Sequence, residues 1–366
     1  MLIGKAQGGV GLQHVTKGTL EALPLPLPPL AEQHRIVAKV DELMALCDQL
    51  AASQVKLESR RDRLAAASFA RLSEPDPKAF CNDACFALGA LPSMTARPDQ
   101  IQLLRKTILN LAVRGRLVRQ NSRDQSASEL LTQVDSAKGE ARIKCVRFDG
   151  GSGLHAIPET WKWVVLDELI SKGPQNGISP RPTTRHDAPM AITLSATTSG
   201  AFDPTRFKRV EADIPKMSEF WLQEGDLLFQ RGNTREYVGI AAIYLGPPGT
   251  FLYPDLIMKV RVSNLVSLRF VHLAAISPPA RAYFSANATG AQATMPKINQ
   301  STLVSLPIPI PPLAEQHRIV AMVDDLMAVC DRLEASLGSG NTTRSRLLDA
   351  LLHEALQMGI EIAETG

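Results

Sequence analysis

The sequence predicts an α+β fold, in which a mixed α/β domain is joined to two long helices that should pair as a coiled coil. Three observations support this. The block Pro28–Ala38 recurs letter for letter at Pro311–Ala321, an offset of 283 residues. No proline or glycine interrupts the chain between Pro29 and Pro75. After Gly150-Gly151-Ser152-Gly153 the apolar pattern changes from helical spacing to short runs broken by Pro, Gly and Asn, the pattern of strands joined by turns.

Each copy of the repeat opens on alternating proline, at Leu23–Pro29 and Leu306–Pro312. Proline fixes its own φ and extends the residue before it, so both stretches read as stiff struts. A helix then runs from Leu30 to about Leu72, ~64 Å at the α-helical rise. Its apolar positions Ile36, Val40, Leu43, Cys47, Leu50, Leu57 and Leu64 follow a 4-3 spacing, repeated as Ile319, Val323, Leu326, Cys330, Leu333, Leu337 and Leu347. Gly338 and Gly340 are potential breaks in the second helix. Between the copies, residues 74–98 read as loop, Gln100–Val113 as a helix ending near Gly115, and Ser126–Lys138 as another. From about Ile157 to Leu303 the expected strands include 163–166, 227–230, 238–244 and 257–262.

With 45% hydrophobic residues the chain can bury ordinary cores, and no apolar run reaches the length of a membrane helix. A cytoplasmic protein with no membrane association is the expectation. Five scattered cysteines suit reduced thiols. Cys81 and Cys85 have no second ligand pair at zinc spacing, so no metal is expected. A P-loop, a dinucleotide loop and an Asn/Asp-Pro-Pro-Tyr motif are all missing, so no cofactor and no catalysis are expected. Asp76-x-Lys78 reads as a chance match to a nuclease site, and His34 and His317 have no catalytic partner at suitable spacing.

The duplicated Leu-Pro-x-Pro-x-Pro-Pro-Leu-Ala-Glu-Gln-His-Arg-Ile-Val at Leu23–Val37 and Leu306–Val320 resembles the specificity subunits of type I restriction-modification systems. The resemblance extends to Leu104-Arg105-Lys106, Leu111–Val118, Ile157–Trp163, Gly225–Thr234 and Val238-Gly239, and so covers essentially the whole chain. It implies two target recognition domains, each followed by a helical region, with the long helices antiparallel as a ruler. The implied partners are double-stranded DNA, adenine-methyltransferase modification subunits and translocase-nuclease restriction subunits, with the chain itself non-catalytic. A purely structural coiled-coil scaffold, or a recognition portion severed from a fused methyltransferase-nuclease, are the alternatives.

Under the 283-residue offset, most of the first recognition domain lacks a counterpart. The expected organisation is residues 1–23 as the tail of that domain, 24–73 as the first long helix, 74–156 as linker and helical segment, 157–305 as recognition domain and 306–366 as the second long helix. A second specificity chain is then a further candidate partner. Between Ile157 and Leu303, fifteen Lys/Arg face twelve Asp/Glu. Arg bonds guanine and Asn bonds adenine bidentately, while Lys neutralises phosphate. Candidate DNA contacts are therefore Arg181, Arg185, Arg206, Lys208, Arg231, Asn233 and Arg235, with Gln292 and Lys297 weaker. The repeated helix start presents Glu32, Gln33 and Arg35, and again Glu315, Gln316 and Arg318, for partner docking or interdomain support.

Overall fold

A computed structural model describes residues 17–21, 27–73, 79–138, 154–215, 218–290 and 295–364. Of the expected first-domain tail it describes only helix α1 (Lys17–Glu21). Gly8–Gly11, Asp76, Lys78 and Gln292 lie outside the described residues. Residues up to Arg63 belong to one compact unit and those from Leu64 to another.

Helix α2 (Leu30–Ser73) runs unbroken, as expected where no Pro or Gly intervenes. The Pro29 carbonyl accepts from Glu32 N and Gln33 N, and the Gln33 side-chain amide donates to Pro28 O at 2.7 Å. Gln33 therefore caps the prolyl carbonyl that the helix leaves over. The second copy repeats the device at the start of α10 (Leu313–Glu364), where Gln316 Nε2 donates to Pro311 O at 2.9 Å. Gly338 and Gly340 do not break α10.

Residues expected to be loop form α3 (Phe80–Met94), which carries Pro92 inside it. Tertiary packing overrides the breakers: Ala87 and Met94 close over Ala65, Phe69 and Leu72 at the end of α2. Helix α4 (Pro98–Val113) starts on a proline, which suits a first turn. It ends at Gly115, whose φ is +66° and where a Cβ would stand 2.5 Å from Pro158 Cγ. Helix α5 (Ala127–Lys138) follows, with Ser126 Oγ accepting from Glu129 N.

The remaining elements are β1 (Lys162–Val165), α6 (Leu166–Leu169), β2 (Ile170–Asn176), β3 (Met190–Ile192), β4 (Phe207–Arg209), β5 (Asp226–Gln230), β6 (Ala241–Ile243), β7 (Phe251–Leu252), β8 (Ile257–Val262), α7 (Leu268–Ile276), α8 (Pro278–Asn287), α9 (Gln300–Val304) and β9 (Pro307–Ile310). Strands β2-β8-β5-β6 form an antiparallel sheet. In β4-β3-β7 the β3–β4 pair is antiparallel and the β3–β7 pair parallel. The second proline strut is strand β9, which pairs with β1 in a two-stranded ribbon. Pro307 and Pro309 lack an N–H, which a ribbon edge tolerates, while the alternate Ile308 and Ile310 are fully buried. Helices α7 and α8 fill a stretch after β8 to which the sequence reading assigned no element. Ser267 caps α7 through Phe270 N, and Pro278 opens α8.

Strand β5 is buried on both faces. Leu227 and Phe229 enter the main core with Ile108, Trp161, Phe270, Phe284, Ile319 and Val323. Leu228 points to a second core with Ile192, Tyr244 and Phe251, between the two larger sheets. The 4-3 residues Ile319, Val323, Cys330, Leu326, Leu333 and Leu337 of α10 therefore pack into the main core, where α4 and α7 meet α10. Gly239, at φ +75°, brings the backbone against the Phe284 ring, 2.4 Å from where a Cβ would stand. No helix among the described residues is long and apolar enough to cross a membrane.

The Gly225-Asp226 segment anchors this sheet. Asp226, 1% exposed, accepts from Arg261 Nη2 at 2.6 Å and from Gln223 N at 2.8 Å. Lys259 Nζ lies 3.6 Å from its other oxygen and donates to Glu219 O and Trp221 O. Burial pulls the Lys259 pKa down, and the Asp226 charge opposes that pull. Asp226→Asn should lower stability by about 3–5 kcal/mol, because it leaves a buried ammonium without its counter-charge. Urea unfolding measures this, and a loss under about 1 kcal/mol would show that Asp226 is not the anchor.

Candidate nucleic-acid interface

Two separated stretches of sequence meet at the edge of the β4-β3-β7 sheet. Thr183 N donates to Arg209 O at 3.0 Å, Glu211 N donates to Arg181 O at 2.8 Å, and Pro182 bridges Val210. Ser179 Oγ, bonded to Asp255, pins the start of the loop. These bonds lay the Arg181–Thr183 stretch along Arg209–Glu211, just past Lys208, while Arg206 lies at the other end of β4, where its carbonyl accepts from Thr193 N. Arg185 is paired with Asp187 at 2.7 Å, both strongly exposed, and Arg206 with Asp203 at 3.3 Å. The hydrogen bond between them raises the Arg185 pKa and lowers that of Asp187. Arg209 turns inward and donates to Ala188 O.

The other candidate group follows β5. Gln230, fully buried, donates to Leu194 O, Thr197 Oγ1 and Thr198 Oγ1. Asn233 Nδ2 donates to Gln230 Oε1, and Asn233 Oδ1 accepts from Thr234 N. The Asn233 carboxamide, a candidate base contact, is thus bonded within its own turn. The Arg231 backbone is knitted to Leu256 O and Ile298 N. Arg235 reaches Ser285 O at 3.0 Å. Lys297 exchanges two backbone bonds with Thr289.

A cleft of about 1440 Å³ brings Arg206 and Arg235 together with cations that sequence reasoning did not single out: Lys106 on α4, Arg269 on α7 and Arg281 on α8. Arg269 and Arg281 lie on helices to which the sequence reading assigned no element. Inside this cleft Arg269 pairs with Asp324, and Arg281 donates to Glu236 O. His272 sits between Gly200 O at 2.9 Å and Ala241 O at 3.1 Å, and burial lowers its pKa. It is a structural histidine.

At the second helix start Glu315, Gln316 and Arg318 are all engaged by their own domain. Glu315 and Gln316 are 1% and 0% exposed. Gln120 Nε2 donates to Glu315 at 2.6 Å, Ser267 N donates to Gln316 Oε1 at 2.8 Å, and Arg318 pairs with Asp124 at 2.6 Å. These side chains hold the helix to its own domain. In the first copy Glu32 and Arg35 are exposed and Gln33 is half-buried.

The sequence model described as "Type I restriction modification DNA specificity domain" matches residues 3–58 and 158–338. The type I restriction enzyme EcoEI specificity subunit of Escherichia coli is 27% identical over 362 residues, 95% of this chain and 61% of the relative. The EcoAI specificity subunit of Escherichia coli is 26% identical, again over 95% and 61%. The chain thus spans about three-fifths of the length of these relatives. A solved structure described as the "Structural basis underlying complex assembly and conformational transition of the type I R-M system" is 20% identical with TM-score 0.49, covering 93% of this chain and 62% of that one. The "Crystal structure of HsdS subunit from Thermoanaerobacter tengcongensis" is 18% identical with TM-score 0.38, over 92% and 60%.

Glu315 gives the helix start a pH signature. Burial raises its pKa above the ordinary glutamate value, against the hydrogen bond from Gln120 and the charge of Arg318. The folded chain therefore keeps a proton that the unfolded chain releases earlier. That contribution is complete below the unfolded pKa and is lost as pH rises through the folded one. Glu315→Gln keeps the acceptor for Gln120 and removes the titration. Its Tm relative to the parent should climb as pH goes from acidic to neutral; calorimetry showing a flat difference would refute this.

Proposed function

The chain belongs to the type I restriction modification DNA specificity family, and on that premise we propose that it reads one part of a split DNA site and delivers catalytic partners to it. The observation that carries this reading is the cation cluster at the edge of the β4-β3-β7 sheet. Arg181 and Arg185 come from one loop, Lys208 from the strand beside it and Arg206 from just before that strand, and backbone bonds tie the loop to the strand's end. Such a rim suits a groove: Arg reads base edges, while Lys and paired Arg neutralise phosphates. Arg231 and Arg235 extend the contact around the β5 turn.

Adenine-methyltransferase modification subunits and translocase-nuclease restriction subunits are the proposed catalytic partners, and this chain supplies no reacting group. The long helices serve as spacer between two recognition units, the second supplied by further sequence or another specificity chain. The extended run of α2 and α10 supports this role.

Selection from randomised DNA should enrich one short sequence block. Against it, Arg181→Ala and Lys208→Ala should each cost about 1–3 kcal/mol, whereas Lys56→Ala on α2 should change little. Loss of the Lys208 contact should also flatten the salt dependence. Supplied with S-adenosylmethionine, ATP and Mg²⁺ alone, the purified chain should neither methylate nor cut DNA. Unchanged binding by both variants, or activity surviving complete removal of partner subunits, would refute the reading.

A further inference from the structure

Strand β5 runs Asp226-Leu227-Leu228-Phe229-Gln230, and its last side chain is a carboxamide with no exposure at all. A buried amide is costly unless its donors and acceptor are satisfied. Gln230 meets that condition through two separate segments of chain. Nε2 donates to Leu194 O at 2.7 Å, Thr197 Oγ1 at 2.9 Å and Thr198 Oγ1 at 3.0 Å, and Oε1 accepts from Asn233 Nδ2 at 2.5 Å. The Gln230 backbone is occupied independently, by Ile240 O and Gly239 N.

Chemistry fixes which way the amide points. The Thr197 and Thr198 hydroxyls direct their protons to Leu194 O, at 3.2 and 3.0 Å, which leaves only lone pairs for Gln230. A carbonyl also only accepts, so all three oxygens on that side require the Nε2 end. Asn233 must then turn its amine to Gln230 and its oxygen to Thr234 N, which donates at 2.7 Å. The result is a single directed chain of bonds from Leu194 O through Gln230 and Asn233 to the backbone of the turn.

Both ends of this chain carry candidate DNA contacts. Thr193 N donates to Arg206 O and Asp203 N donates to Ala196 O, which ties the segment carrying Arg206 to the 3-10 turn Leu194–Ala196. At the other end Asn233 lies between Arg231 and Arg235 in the sequence. Arg206 and Arg235 line the same cleft, together with Thr198, while Gln230 lies behind its walls.

We propose that Gln230 is a positioning residue for sequence reading: its carboxamide sets the spacing between the Arg206 segment and the Arg231–Arg235 turn, and so determines which bases the chain prefers. The inference rests on the DNA reading proposed above. Attraction to phosphates tolerates a small shift of a cation, whereas bidentate bonding to a base edge does not. Loss of the Gln230 bonds therefore removes discrimination rather than general DNA affinity.

Two variants of the full chain test this. Gln230→Met keeps the length of the side chain and removes its bonds, and Asn233→Ala cuts only the link to the turn. Each is taken through selection from randomised DNA and through binding to the parent's selected block and to random DNA over a salt series. In both variants discrimination between the two DNAs should fall about tenfold, while affinity for random DNA and its salt slope stay within about twofold. The double variant should fall no further than Gln230→Met, because both changes break one chain of bonds. A merely structural residue would lower binding to both DNAs together and leave the selected block unchanged, and that outcome overturns the inference, as does an additive loss in the double variant. Should Gln230→Met fail to melt cooperatively, Asn233→Ala decides by the same comparison. A parent that selects no block refutes the DNA reading and takes the inference with it, whereas a parent block retained by the variants sinks the inference alone.

Discussion

The covering of the first turns of α10 is the contact on which the larger unit depends. Ile319, Val323 and Cys330 are apolar positions on a helix that would otherwise stand in water, and α4 and α7 close over them. Closure has a polar frame as well as an apolar filling. Gln316 donates to Pro311 O and accepts from Ser267 N, so one amide joins the β9 strut to the cap of α7. The main core continues from this seam through Phe270 and Phe284 to the inner face of β5. The other face of β5, through Leu228, packs with Ile192 and Phe251 of the β4-β3-β7 sheet, next to the candidate DNA contacts.

Charge is used in two physically different ways. At Asp226 the carboxylate and the Lys259 ammonium are buried, with half-exposed Arg261 closing on them, and desolvation there is tolerable only because the groups are hydrogen-bonded. At the rim, Arg185 with Asp187 and Arg206 with Asp203 are exposed pairs. Exposed pairs contribute ~0–1 kcal/mol. An arriving phosphate can therefore replace the acidic partner at little cost, while the buried cluster keeps the sheet that presents the rim.

Much of the helical frame was legible in the sequence, because its signals are local. The stretch free of Pro and Gly gives α2, and a cap or glycine marks the ends of α4 and α5. Strand β8 lies where its run of Ile, Met and Val placed it. Helix α3 was not legible, since Gly89 and Pro92 oppose it and only its packing onto Phe69 and Leu72 makes it helical. Helices α7 and α8 were missed although Ser267 and Pro278 are caps in hindsight, which hid Arg269 and Arg281. Within the site, the residue types of the β4 rim were readable, but their gathering depends on long-range backbone bonds such as Thr183 to Arg209. The bond from Asn233 to Gln230 was not legible, because Gln230 is buried by a distant turn.

The repeat separates what a sequence encodes from what its surroundings decide. Gln33 and Gln316 make the same bond to the same prolyl carbonyl in both copies, so the helix start is set locally. Glu32 and Glu315 are equally identical in sequence, yet one is exposed and the other buried beneath Gln120. Glu315 lies beneath Gln120 of its own domain, so its burial is decided by what packs on the helix rather than by the eleven repeated residues, which are the same in both copies.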